Sequence, residues 1–409
     1  MKVAVLGGGP SGAFAAERLA AAGVRTVLID EKLAWEKPCG GGLTYKAYHE
    51  YPFLIDNNTP KRFVTETVLA APKAGSVTLH LRDPLLIYSR YDLNNMLLCR
   101  AEKAGAQLEK TRVTEMARAG SGWKLRTKSG SIEADFCVLA TGARNPLRCA
   151  GTTLTPQDTM SALGYFVPGS RERIDIQFLE NLEGYIWVFP RQGHLSVGIC
   201  GKGVPASLLR KRLELYMEER GIQREGSTFY SHLLPCLETP AWKHNRVSGD
   251  GWMAVGDAAG LVDPVTGEGL YYALRSADLA ARTLLNEVGS VADRSALNRI
   301  LDLHKGLDRT GQAYRWLLRR DFAADLELGS RLAQRIFHGT YMFGSVPARM
   351  IQFTRRSPTF RAVMQDLFSG TQNYIGLKSR LLRNLNGSLF EILGSFGFGR
   401  LVPRKDSVA

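Results

Sequence analysis

The sequence has cysteines but no pairing pattern for them. Cys39, Cys99, Cys137, Cys149, Cys200 and Cys236 are scattered without C-x-x-C spacing. A zinc site or a disulfide framework is therefore not expected, no metal ligands are assigned, and a reducing cytoplasm fits best. No apolar run reaches the length of a membrane span, so an integral membrane protein is not expected. A signal peptide is not expected either, because Met1 and Lys2 lead straight into a short apolar strand that ends in glycines. Internal repeats and low-complexity tracts are lacking. Negative charge is also in short supply: 39 Asp and Glu stand against 53 Lys and Arg, a formal charge of +14. From Leu301 onward the balance is 17 Lys and Arg against 8 Asp and Glu. Such a surface attracts anionic lipids, nucleic acids or phosphorylated substrates without distinguishing among them, and it also serves plain solubility. The basic residues are not interleaved with aromatics, so no nucleic-acid partner is expected.

What is present is globular. Hydrophobic residues make up 44% and charged residues 22% of 409 positions, a length that favours two or three lobes over one core. Residues 3–6 (Val-Ala-Val-Leu) suit a buried parallel strand. They run into Gly7-Gly8-Gly9-Pro10-Ser11-Gly12, which fits G-x-G-x-x-G at Gly7, Gly9 and Gly12. A helix from Ala13 to Ala22 follows, closed by Gly23, and then a second strand, Thr26 to Ile29, ending in Asp30-Glu31. In this setting Gly7 permits the tight turn, Gly9 lets a pyrophosphate approach the backbone, and Gly12 lets helix and strand pack closely. The helix start at Ala13 offers free N–H groups to phosphate. Asp30 sits where a carboxylate accepts hydrogen bonds from an adenosine ribose, with Glu31 next in line if the register slips by one. These residues define a dinucleotide site.

The choice between FAD and NAD rests on a segment far down the chain. A strand from Trp252 to Val255 runs into Gly256-Asp257, then the loop Pro264-Val265-Thr266-Gly267-Glu268-Gly269, then a helix from Leu270 to about Leu285. This resembles the second flavin motif of the large FAD family related to glutathione reductase and the aromatic hydroxylases. The resemblance implies that Asp257 binds a ribitol hydroxyl. It also implies that Gly269 and Leu270 present the helix N-terminus to the pyrimidine edge of the isoalloxazine, favouring the reduced anion. Val138-Leu139-Ala140-Thr141-Gly142, after a meander at Gly122–Arg126 and Ser131–Ala134, resembles the A-T-G strand end of the same proteins. Thr141-Gly142 stands where aromatic hydroxylases carry Asp-Gly. Val113, before the meander, falls where such proteins contact adenine through the backbone.

Three more stretches resemble the geranylgeranyl reductase family, flavoenzymes that saturate isoprenoid double bonds. They are Lys37-Pro38-Cys39-Gly40-Gly41-Gly42-Leu43, Ser89-Arg90-Tyr91-Asp92-Leu93 and Gly184-Tyr185-Ile186-Trp187-Val188-Phe189-Pro190, the last followed by Leu195-Ser196-Val197-Gly198-Ile199. The resemblance implies that Arg90 contacts the flavin and that Cys39, with Gly40 and Gly42, lies against the isoalloxazine. Cys39 then either donates a proton or positions substrate, or is a small buried apolar residue. Tyr185, Trp187 and Phe189 share one face of a strand. They form either an aromatic wall for an apolar chain or a plain sheet core.

The expected architecture is α/β: a discontinuous Rossmann-like FAD-binding domain (1–60, 88–148 and 245–300), a mixed β-sheet substrate domain (61–87 and 149–244) and a helical C-terminal region (301–409). No second G-x-G-x-x-G lies in a strand–helix setting, so the electron donor, nicotinamide or ferredoxin-like, is expected to dock transiently. The resemblance implies reduction of a prenyl lipid or prenyl diphosphate, with hydride passing from reduced FAD and a protein or water acid protonating the other carbon. A flavin monooxygenase or halogenase is the alternative. Halogenases carry a W-x-W-x-I-P segment, from which Tyr185 and Phe189 depart. The apolar stretch from Ser388 to Phe396, followed by Arg400, Arg404 and Lys405, either sits at a bilayer interface as a peripheral contact or caps the substrate tunnel from within.

Overall fold

The computed structural model describes residues 1–147, 149–286, 308–341 and 343–383. Ser388–Phe396, read above as interfacial or capping, lies outside them.

The chain opens with strand Lys2–Leu6, paired in parallel with Arg25–Ile29 on one side and Phe136–Leu139 on the other. All three are almost wholly apolar because the first helix and a three-stranded meander pack against them. Gln107–Glu109 and Trp252–Ala254 extend it in parallel, and the short antiparallel strand Ser248–Gly249 closes one edge, for six strands in all. The first helix begins at Pro10 rather than Ala13 and runs to Ala21. Proline fits this first turn because its missing N–H would have no helical partner there. Gly23, at φ +80°, ends the helix with paired bonds from Gly23 N to Ala20 O and from Val24 N to Leu19 O. The meander is a separate three-stranded sheet of Val113–Ala119, Gly122–Thr127 and Gly130–Ala134.

A second, eight-stranded mixed sheet has the order Thr228–Pro235, Thr159–Pro168, His194–Gly201, Tyr185–Pro190, Ile174–Phe178, Lys61–Ala71, Gly75–Tyr88, Gly42–Leu43. One pair, Ile174–Phe178 with Lys61–Ala71, is parallel and the rest are antiparallel. Among the described C-terminal residues, helices Arg309–Leu318, Ala324–His338, Val346–Arg356, Pro358–Phe368 and Tyr374–Arg383 follow. The first packs on helix Leu270–Leu284, where Tyr314 donates to Ala254 O at 2.8 Å and ties it to the nucleotide sheet. Val346–Arg356 and Pro358–Phe368 pack on the two long strands 61–71 and 75–88. A space stays open between sheet and helices, and the functional site lies there.

Candidate active site

The glycine turn is built as a cradle. A Cβ at Gly7 would lie 2.2 Å from Ala140 O, and one at Gly12 would lie 1.9 Å from Gly7 O. Neither position admits a side chain, because the turn packs directly on the next strand end and on itself. At Gly9 nothing lies within 4 Å, so its backbone faces open space. This contrast is what a bound pyrophosphate needs: tight packing beneath the turn and bare backbone above it. Asp30 accepts from Gly8 N at 2.7 Å with one oxygen and from Lys32 N and Leu33 N, both at 2.7 Å, with the other. The carboxylate is thus fixed at the strand end, where a ribose would share its lone pairs. Glu31 turns away to an ion pair with Arg112 at 3.7 Å. Gly7, Gly12 and Ala13 underlie the cradle. Val113 packs into the core of the nucleotide domain, and Glu31 and Val113 are absent from the cavity wall.

A cavity of about 830 Å³ begins at Gly9 and passes Cys39, Gly40, Gly42, Arg90, Gly142, Asp257, Gly269 and Leu270. Tyr185, Trp187 and Phe189 line the same space. Distant parts of the sequence therefore meet in one chamber. Beyond the aromatics the wall is apolar and is supplied by the C-terminal helices, with Ile336, Met350, Phe353, Phe360 and Met364 among its residues.

The loop carrying Cys39 is held by two residues that the motifs did not single out. Arg191 is completely buried; its guanidinium donates to Glu36, to Cys39 O and, at 3.3 Å, to Gly40 O. Glu36 also accepts from Ser89 Oγ at 2.8 Å, Arg90 N at 3.0 Å and Tyr91 N at 3.1 Å. One carboxylate thus joins the loop to the N-terminus of helix Arg90–Lys103, which delivers Arg90 to the cavity. Burial opposes the charge of Glu36, yet Arg191 and these donors hold its pKa below the usual carboxylate range. Cys39 shows the same contest. Burial pushes its thiol up, but Arg90, Arg191, the Gly41 N–H and Lys37 together bring it below its ordinary value. The neighbouring cations thus more than offset the burial of the thiol.

At the other end of the glycine loop, Asp257 pairs with Lys37 at 3.0 Å. Burial raises the Asp257 pKa, and Lys37 and His232 outweigh it, so the aspartate stays ionised. His232 is pushed down to about 3 by burial and by Lys37, which leaves a neutral imidazole. Its Nε2 is buried in the cavity wall without a hydrogen-bond partner, and so is Arg90 Nε. Unmet polar atoms of this kind are expensive unless a ligand satisfies them. The bare Gly9 backbone, ionised Asp257 and these orphaned polar atoms fit FAD, which carries pyrophosphate, ribityl hydroxyls and a polar ring edge.

The aromatic strand is seated by glycine. Trp187 pairs with Gly198, where a Cβ would come 2.3 Å from the indole ring. Trp187 Nε1 donates to Ser196 Oγ at 3.3 Å; Ser196 Oγ contacts Tyr230 OH at 2.9 Å and donates to Cys39 O at 3.0 Å. The aromatic wall and the cysteine loop are thus one hydrogen-bonded unit. In the loop before Leu270, Glu268 accepts from Thr44 Oγ1 at 3.0 Å and borders the cavity. Burial and the neighbouring Asp263 push its pKa up to about 7. Asp263 in turn is held by Tyr374 OH at 2.9 Å, from the last described helix. Serial position hid Arg191, Glu36, His232 and Tyr230, while Lys37 and Glu268 stood inside quoted motifs without a role of their own. The only signal for any of them was charge inside an apolar or glycine-rich stretch, as in Glu36-Lys37 before Cys39 and Arg191 after Pro190. Among the described residues no cluster of His, Cys, Asp and Glu could hold a metal ion.

The geometry agrees with comparisons to known proteins. Residues 1–160 match the family model described as pyridine nucleotide-disulphide oxidoreductase. The chain is 27% identical over 345 residues to the chloroplastic geranylgeranyl diphosphate reductase of Nicotiana tabacum, covering 74% of this chain and 70% of that protein. It is 29% identical over 324 residues to digeranylgeranylglycerophospholipid reductase 2 of Methanothermobacter thermautotrophicus, covering 70% and 78%. Its fold matches a solved geranylgeranyl bacteriochlorophyll reductase-like structure from Thermoplasma acidophilum with a TM-score of 0.72 and 22% identity, over 93% of this chain and 98% of that one. The protein is an FAD-dependent oxidoreductase. The chain is similar in sequence to geranylgeranyl-type reductases and shares their fold.

Proposed function

We propose that the protein saturates carbon–carbon double bonds of a prenyl chain of the geranylgeranyl type, carried as a lipid or a diphosphate. The observation that carries this reading is the shape of the single cavity, which joins the flavin cradle to a long apolar wall. Bound FAD, once reduced, supplies the hydride. The chain's own residues do the rest. Gly9, Asp257 and Arg90 hold the cofactor, with Asp30 at its far end. Arg191 and Glu36 lock the Cys39–Gly42 loop at the junction of cradle and wall. Tyr185, Trp187 and Phe189 align an alkene along a mainly apolar wall, where orientation lowers the barrier. Cys39 and Glu268 are the acidic groups placed to move a proton at this junction; the surrounding cations ease loss of the Cys39 Sγ proton, against the effect of burial. Electrons reach the flavin from a nicotinamide or ferredoxin-like donor that docks from outside, in a cytoplasmic setting.

The test is anaerobic turnover. Enzyme reduced with dithionite and offered prenyl diphosphates and prenylated glycerophospholipids should yield products heavier by two hydrogens per saturated bond. A protein that leaves every alkene intact without oxygen, but yields hydroxylated or halogenated product when oxygen is admitted, would be a monooxygenase or halogenase instead.

A further inference from the structure

We infer that the hairpin between helices Ala324–His338 and Val346–Arg356 is a docking element for an anionic bilayer, set at the mouth of the cavity. Its strands, Thr340–Tyr341 and Gly344–Ser345, pair antiparallel. At the apex stands Phe343, fully exposed and at φ +61°. A bulky aromatic in the left-handed region is strained, and here the strain holds the ring out of the protein instead of in a core. Tyr341 is half-exposed beside it and packs edge-on against Phe353, with ring centroids 6.2 Å apart.

The hairpin adjoins the cavity. Gly339, Thr340, Tyr341, Val346, Arg349 and Phe353 line the apolar end of the chamber. Arg349 Nε donates to Tyr341 O at 3.1 Å, which braces the turn from within. A chain leaving the bilayer at Phe343 would enter the apolar channel directly and skip water.

Charge supports an anionic surface over a neutral one. Between Glu327 and Asp366 the sequence contains Arg331, Arg335, Arg349, Arg355, Arg356 and Arg361 and not one carboxylate. The stretch 328–365, which includes the hairpin, therefore bears six arginines and no carboxylate, with Tyr341 and Phe343 exposed within it. An exposed aromatic tip within a cationic stretch is the composition of an interfacial anchor, in which shallow apolar insertion and attraction to acidic headgroups act together.

The inference concerns access to the site and can be tested without catalysis, so it stands or falls separately from the reductase reading. FAD-loaded protein would be sedimented with vesicles of phosphatidylcholine alone and of phosphatidylcholine mixed with phosphatidylglycerol, at low and high salt. Phe343→Asn is the informative variant, because asparagine tolerates the left-handed backbone and the fold should survive. Leu215→Asn removes another exposed apolar side chain, on helix Ala206–Glu219, and serves as the control. Binding should require phosphatidylglycerol, weaken with salt, fall about tenfold or more in Phe343→Asn and stay unchanged in Leu215→Asn. Unchanged melting of Phe343→Asn, with bound flavin, establishes that lost binding is not lost folding. Equal binding by Phe343→Asn and the parent, or no binding to either vesicle, would overturn the inference. So would a dimer of the parent chain that Phe343→Asn converts to monomer, since the occupant of the patch would then be a second copy.

Discussion

Arg191 is fully buried and serves three acceptors at once: the Glu36 carboxylate and the carbonyls of Cys39 and Gly40. A guanidinium can do this because its N–H groups fan out in one plane, whereas a lysine offers a single point of charge. Arg191→Met should therefore leave Glu36 buried without its main counter-charge and cost about 3–5 kcal/mol, read as a lower melting temperature. Arg191→Lys should recover only part of it. Asp257 makes a simpler case. Asp257→Ala removes a charge-assisted acceptor and strands Lys37, so FAD affinity should drop by about 1.5–3 kcal/mol, measured by flavin fluorescence on dilution. A variant that retains flavin as tightly as the parent would show that Asp257 takes no part in holding the cofactor. Glu268 offers a pH signature. Its folded pKa, about 7, lies above the ordinary carboxyl value, so the folded state binds a proton that the unfolded state has already released. The stability it contributes is full below the unfolded pKa, declines as pH rises towards 7 and is gone above it. Glu268→Gln abolishes this titration. The melting temperature of the variant relative to the parent should thus climb between pH 5 and pH 7.5, and a flat difference would place the carboxyl at an ordinary pKa.

Among the elements, those that could be read from sequence are the ones whose requirements are local. Lys2–Leu6 with its glycine turn, helix Pro10–Ala21 and Arg25–Ile29 announce themselves because a buried parallel strand is continuously apolar and because phosphate binding needs bare backbone at fixed spacing. Tyr185, Trp187 and Phe189 could be placed on one face because strand periodicity is fixed. Whether that face met a core or a cavity was not legible; it depends on the C-terminal helices standing away from the sheet, which no local pattern encodes. The roles of Arg191 and His232 were hidden for the same reason. A charged residue on a strand is ordinarily a solvated one, and only the folding of a distant loop over it reverses that expectation. Gly198 makes this concrete. Sequence marked it as a glycine at a strand end, and the structure gives it a task, since the Trp187 ring occupies the space a side chain would need. Gly198→Ala should displace the indole and lower stability by about 1–3 kcal/mol, with a changed near-ultraviolet circular dichroism spectrum as the more specific sign. An unaltered spectrum would mean that the wall tolerates repacking.

For the molecule as a whole, the cavity is the joint between its parts. Its walls come from the nucleotide sheet, the eight-stranded sheet and the C-terminal helices together. FAD bound at one end should consequently stabilise the whole assembly. At a free concentration of 100 times the dissociation constant the gain is about 2.7 kcal/mol. Calorimetry of stripped and reloaded protein should show one transition moving upward together, whereas movement of only an early, partial transition would indicate that the lobes unfold independently. Among the described residues no helix is long and apolar enough to cross a membrane.

The strand order of the nucleotide sheet also bears on how the chain is made. Phe136–Leu139 meets Lys2–Leu6 along one edge and Trp252–Ala254 along the other. Its second partner comes about 115 residues later, after most of the larger sheet has been synthesised. At translation rates of roughly 5–20 residues per second, that apolar edge waits on the order of 6–20 s on the ribosome. During the wait it can pair with the wrong strand or with another chain. Asp257 lies just beyond the missing strand, so the flavin cannot be gripped at both ends in this interval either. Such non-local closure makes for slow folding. The arrival of Trp252–Ala254, more than the intrinsic strength of any earlier contact, would then govern how much of the nascent protein reaches its native state.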